Sequence, residues 1–179
     1  MILKHLSILL LLFVGFFTTN IFAVDATLKI EKDVEQRMRV ALVDGSPAPN
    51  KKVFDILVSD LKISGHFLPD TTQHQGDFES SFIAPTLKGQ EYIIKYMLDQ
   101  SQGTKFSVRL LKASDGRQIF KKSYGIPSSE KMPFLIHKAV SDMNDALNYP
   151  SISWINRYIV YAVYSSPGSS EIRVADYTL

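Results

Sequence analysis

The chain has 179 residues, 45% of them apolar and 21% charged. That balance belongs to a folded protein with material for one ordinary core and part of a second. Lys plus Arg is 20 against 18 for Asp plus Glu, a formal charge of +2, so the basic excess of a dedicated nucleic-acid-binding domain is missing. Cysteine is absent, which excludes disulfides, thiolate zinc sites, iron–sulfur clusters, cysteine nucleophiles and a lipid-modified cysteine.

Residues 1–23 read as a secretory signal peptide. Lys4 and His5 form a short basic start, Leu6 to Phe17 is apolar apart from Ser7 and Gly15, and Ala23 supplies a small residue for cleavage. The apolar run falls short of the ~20 residues that span a bilayer, so removal is expected rather than anchoring. No later window is long and apolar enough to cross a membrane, and the mature chain is expected to be exported.

Leu28 and Ile30 alternate with polar neighbours in Thr27 to Glu31, which fits a short strand or an extended arm. Asp33 to Arg39 reads as a charged connection, and Val40 to Val43 as a buried strand. A Pro/Gly loop over 45–50 follows. Asn50 can cap a helix whose apolar face is Phe54, Leu57, Val58 and Leu61, and Gly65 can end it. His66 to Pro69 is extended. Residues 70–89 show no strong period and are expected to form a loop with a short helix or turn.

Tyr92 to Leu98, Phe106 to Leu111 and Gln118 to Tyr124 are strand candidates, the last two joined by the turn Ser114-Asp115-Gly116-Arg117. Pro127 to Glu130 is a loop before a second helix, whose stripe is Ile136, Ala139, Val140, Met143 and Leu147 and which Pro150 stops. Beyond it, Tyr158 to Tyr164 and Glu171 to Tyr177 form a hairpin about a turn over 165–170. An isolated hairpin is marginal alone, so it reads as the beginning of a truncated β domain. The expected fold is α/β (α+β): a mixed β-sheet packed by two helices, then one hairpin.

Catalytic signatures are lacking. The sequence has no phosphate loop, no GxGxxG and no GxSxG elbow. His66, Asp70, His74 and Asp77 have metal-like spacing if helical, but Pro69 and Gly76 favour a solvated loop. His137 is expected on an exposed helix position, and Asp142 and Asp145 on a solvated helix face. Lys121 and Lys122, with Arg117, read as a solvated sheet edge. No catalytic, metal or cofactor residues are assigned.

Several segments taken together resemble the TolB family of periplasmic Tol-Pal components. Ile56 to Phe67 (ILVSDLKISGHF) is similar to a TolB helix end. Trp154 to Tyr161 (WINRYIVY) is similar to the segment that opens the family's β-propeller, and Glu171 to Tyr177 (EIRVADY) to the strand that follows. Leu28 to Glu31 falls where the family's mature chain begins, in the TolB box. The resemblance implies a signal peptide over 1–23, an arm over 24–34, an α/β domain over 35–150 and the start of a propeller over 151–179. It implies that Asp25, Ala26, Thr27, Leu28, Lys29, Ile30, Glu31 and Lys32 contact the C-terminal domain of TolA. In the family the propeller binds Pal. The chain ends just beyond the first hairpin, so Pal binding is not carried over. The family's Pro-containing first strand appears here without proline, and its Asp-Gly after the second hairpin strand is Thr178-Leu179. The implied function is non-enzymatic: a periplasmic interaction component supporting outer-membrane integrity and constriction during division. The alternatives are a freestanding periplasmic α/β binding module, whose residues 151–179 would pack back onto the domain, and a metal-assisted hydrolase using the His66/His74 segment.

Overall fold

The computed structural model describes residues 37–126 and 131–178. The expected signal peptide, the arm and the loop over 127–130 lie outside these residues. The first strand, β1 (Met38–Asp44), carries Val40, Ala41, Leu42 and Val43, all buried. A run with no polar alternation is what a strand covered on both faces requires. Helix α1 (Lys51–Ser64) begins where the Asn50 side-chain oxygen accepts from the Val53 amide at 3.2 Å, and it ends at Gly65 in the left-handed conformation, φ 72°. These are the cap and stop that the sequence supplies.

Strand β2 (Phe67–Gln75) then lies parallel to β1. This corrects the loop expected from residue 70 onward: the polar stretch is an edge strand, and an edge tolerates Pro69 and polar side chains because only one side must pair. A single 3₁₀ turn, Pro85–Leu87, interrupts the connection to β3 (Tyr92–Asp99). Strands β4 (Thr104–Lys112) and β5 (Gln118–Ile126) complete the sheet in the order β2-β1-β3-β4-β5. Strand β1 is parallel to both neighbours, whereas β3, β4 and β5 run antiparallel. Helix α2 (Met132–Ala146) follows.

Both helices contribute to the main core, on one face of the sheet. Val40, Leu42, Ile94, Tyr96, Phe106, Val108 and Leu110 meet Leu57, Leu61, Ile136, Val140 and Met143 there. The opposite face holds a thinner layer, in which Ala41, Val43, Ile93 and Leu111 pack against Ile83 and Leu87 of the 76–91 connection. The period of two along each strand divides the residues between these faces. The main core extends past Pro150: Ile152 and Ile155, the latter in a 3₁₀ turn over Ser153–Asn156, are both buried in it.

The hairpin of β6 (Ile159–Ser166) and β7 (Ser169–Ala175) forms a separate antiparallel pair. Its strands run closer to the Pro167-Gly168 turn than expected, and β7 stops at Ala175, so Asp176 and Tyr177 leave the ladder. Tyr164, Ile172, Val160 and Val174 are exposed.

Candidate functional site

The hairpin returns to the helices through a buried polar cluster. Asp60 sits on α1 beside Leu57 and Leu61, and His137 on α2 beside Ile136 and Val140; both residues are 0% exposed. His137 Nδ1 lies 2.8 Å from Asp60 Oδ2, and its Nε2 lies 3.2 Å from Asp176 Oδ2. The Tyr177 hydroxyl donates to Asp60 Oδ1 at 2.5 Å. Asp176 Oδ1 accepts from the Thr178 amide and hydroxyl. Aromatic rings close the cluster: the His137 ring is 5.1 Å from that of Tyr177 and 6.0 Å from that of Phe134, and Trp154 meets Tyr177 edge-on at 5.6 Å. Burial pulls the His137 pKa down, but the hydrogen bonds and charges of Asp60 and Asp176 outweigh it and raise it above the ordinary value. Burial pushes the Tyr177 hydroxyl up, and Asp60 adds to this. His137 is therefore not the exposed helix residue expected from its sequence position.

A second polar group lies on the other face of the sheet. Lys95 and Arg109 are register partners on β3 and β4, 4% and 5% exposed. The Lys95 ammonium donates to the carbonyls of Asp77, Ser80 and Phe82 at 2.9, 2.6 and 3.4 Å. Arg109 donates to the Phe78 carbonyl at 2.6 Å, to Gln118 Oε1 at 3.0 Å and to Ser81 Oγ at 3.4 Å. Two cations thus hold the 77–82 segment by its backbone. A cavity of about 400 Å³ lies beside it, lined by Val43, Ile83, Leu87, Ile93, His74 and Lys95 among others. Lys95 has three N–H donors and the segment's carbonyls engage all of them, which makes it a clamp for the chain rather than a docking point for an anion.

The four residues with metal-like spacing do not converge. His74 Nε2 meets Asp70 Oδ2 at 3.0 Å, at the irregularity where β2 advances four residues, Pro69 to Gln73, against two of β1. His66 instead stacks on Tyr149 with ring centres 4.9 Å apart, and the Asp77 carbonyl faces Lys95. Among the described residues, no three His, Asp or Glu side chains converge on a site of metal-binding size. Asp142 does not sit on a solvated face: its carboxylate accepts from Lys122 at 2.6 Å, from Tyr124 at 2.8 Å and from Lys138. Lys121 pairs with Glu79 at 2.7 Å, and β5 is a sheet edge as expected. The expected partner-binding residues, Asp25, Ala26, Thr27, Leu28, Lys29, Ile30, Glu31 and Lys32, all lie outside the described residues. The first amide of β1, Met38, donates to the His66 carbonyl at 3.0 Å.

Asp60, Lys95, Arg109 and Tyr177 were not legible as functional positions. The available signal was a charged residue inside an otherwise apolar pattern: Lys95 within YIIKYML, and Asp60 beside the Leu57/Leu61 stripe.

No protein-family model matches the sequence. Among curated proteins, the chain is 32% identical to Tol-Pal system protein TolB of Wolinella succinogenes over 97% of its own length and 42% of that protein's. It is 28% identical to the TolB of Helicobacter hepaticus, over 90% and 40% respectively. The crystal structure of TolB from Acinetobacter baumannii superposes with a TM-score of 0.57 at 17% identity, over 79% of this chain and 36% of that one; at that identity the likeness is one of fold. The chain spans about two fifths of the length of the curated relatives it matches. By sequence along nearly its whole length, and by fold, the chain is related to the TolB proteins of the Tol-Pal system.

Proposed function

We propose that this chain is a non-enzymatic interaction component of a Tol-Pal cell-envelope system, binding the C-terminal domain of TolA through the arm at Asp25 to Lys32. The observation that supports this most is the similarity to TolB over 97% of the chain. In this reading residues 1–23 direct export and are removed, the protein works in the periplasm, and residues 151–179 are the start of a propeller. The extended arm adds a strand to an edge of the partner's sheet: main-chain hydrogen bonds supply affinity, and Leu28 and Ile30 on one face fix the register. The system-level consequence is support of outer-membrane integrity and of constriction during division.

The test is a calorimetric titration of residues 24–179 with the C-terminal domain of TolA from the same organism, beside the double variant Leu28→Asp, Ile30→Asp. Binding by the parent chain that the double variant loses supports the reading. Equal binding by both would remove the arm from the interaction, and no binding by the parent chain would remove TolA as the partner.

A further inference from the structure

We propose that His137 is a proton-operated latch, whose imidazolium ties the end of the β6–β7 hairpin to the α1–α2 pair through Asp176 and loosens that tie on losing one proton. The geometry favours the charged ring. Both ring nitrogens face carboxylate oxygens, at 2.8 Å to Asp60 and 3.2 Å to Asp176. A neutral imidazole has one N–H and donates once only. A carboxylic proton on Oδ2 of either aspartate would be the other way to fill the second contact, but imidazole is the more basic partner, with an ordinary pKa of ~6.5 against ~4 for a carboxyl, so the proton sits on the ring.

The two carboxylates are unequal, which decides where the tie breaks. The Asp60 side chain is 0% exposed and that of Asp176 is 13% exposed. A buried carboxylate left unpaired is the costlier state, so the remaining N–H stays on Asp60 and Asp176 turns to water. Asp176 directly follows the last residue of β7, so its release takes away one of the two polar ties of this segment and leaves the Tyr177 hydroxyl on Asp60 as the other, while both helices stay packed.

The charged and titratable groups that face His137 are few. Helix α1 presents Asp60, and the segment after β7 presents Asp176 and Tyr177. The 3₁₀ turn over Ser153–Asn156 contributes Trp154 and no ionisable side chain. On β5, Lys122 and Tyr124 are engaged by Asp142, as is the neighbouring Lys138.

The sign follows from the directions of the shifts. His137 is raised, so its contribution is complete below the ordinary histidine range and is lost as pH climbs through its higher value in the folded chain. Burial pushes Asp176 up, but its bonds to Thr178 and His137 outweigh this and leave it lowered, so its contribution is present above the ordinary carboxylate range and is lost as pH falls through its lower value. The latch is closed between these limits.

Trp154 is the chain's single tryptophan and rests 5.6 Å from the Tyr177 ring, so its emission reports the seat directly. The experiment follows Trp154 emission of the full chain from about pH 5.5 to 9, a range that brackets the ordinary histidine pKa of ~6.5, with far-UV circular dichroism in parallel. The expected result is one transition centred above that value with unchanged secondary structure. In Asp176→Ala the emission already has its high-pH form at the acid end and stays flat; His137→Gln is also flat. Asp176→Ala decides the matter if His137→Gln does not fold, because Asp176 is at the rim. A flat profile in the parent chain, a transition that survives Asp176→Ala, or loss of secondary structure together with the emission change would overturn the latch.

Discussion

Replacing Lys95 by methionine tests how the 77–82 segment is held. Methionine keeps an unbranched apolar side chain at this buried position and removes the ammonium. Two of the lost bonds, to Asp77 and Ser80, have full-strength geometry at 2.9 and 2.6 Å, and the third, to Phe82 at 3.4 Å, is marginal. Bonds from a charged donor contribute about 1.5–3 kcal/mol each, so the gross loss is about 3–6 kcal/mol. Two effects reduce it. Burial lowers the Lys95 pKa and the Arg109 charge lowers it further, so the folded chain is relieved of an unfavourably placed cation. The segment also opens to hydrate its carbonyls without unfolding the sheet. The net loss is then about 2–3 kcal/mol, or ~4–12 °C in Tm for a domain of this size. Urea denaturation measures the first quantity. Chymotrypsin measures the opening, because Phe78 is 5% exposed whereas Phe82 is 71% exposed. Cleavage after Phe78 rises in the variant, while cleavage after Phe82 occurs in both. Unchanged stability together with unchanged protection of Phe78 would refute the clamp.

Gly45→Ala places a Cβ 2.7 Å from the Phe78 Cβ and 2.9 Å from its amide nitrogen, so the same segment must shift; the expected loss is about 1–3 kcal/mol by urea denaturation. Asp142→Asn changes acid stability. Burial pushes this carboxyl up, but Lys122, Lys138 and Tyr124 outweigh it and hold it below the ordinary range. Its contribution is therefore present above the ordinary carboxylate range of ~4 and is lost as pH falls through the lower value in the folded chain. Thermal melts between about pH 2 and 6 should show a shallower acid slope in Asp142→Asn than in the parent chain. Leu57→Ala empties a position that is 0% exposed in the main core and is expected to cost about 2–5 kcal/mol in chemical denaturation.

Elements with strong periodicity were legible in the sequence. The Phe54/Leu57/Val58/Leu61 face, its Asn50 cap and its Gly65 stop stand as read, because each follows from local chemistry. The second helix and the three strands after Tyr92 likewise follow their apolar patterns. Strand β2 did not, since an edge strand needs hydrogen-bonding partners more than apolar side chains, and its partner β1 is more than twenty residues away. The buried ions failed for a related reason. His137 owes its burial to Asp60, 77 positions earlier, and to Asp176, 39 positions later, and no local pattern encodes such a meeting. Lys95 and Asp142 were hidden in the same way by partners on other elements. The resemblance to TolB rested on the order of several weak motifs, and the similarity to TolB over 97% of the chain supports it.

The central claim, that this TolB relative recruits TolA through its arm, is tested most directly by hydrogen exchange. Residues 24–179 are labelled alone and in saturating complex with the C-terminal domain of TolA, and peptides covering Asp25 to Lys32 are compared with those covering β2, β5 and the β6–β7 hairpin. The account predicts slowed exchange at Asp25 to Lys32, strongest at the amides that pair with the partner's edge. A complex that leaves those amides unprotected and instead slows exchange on β2, β5 or the hairpin would contradict it.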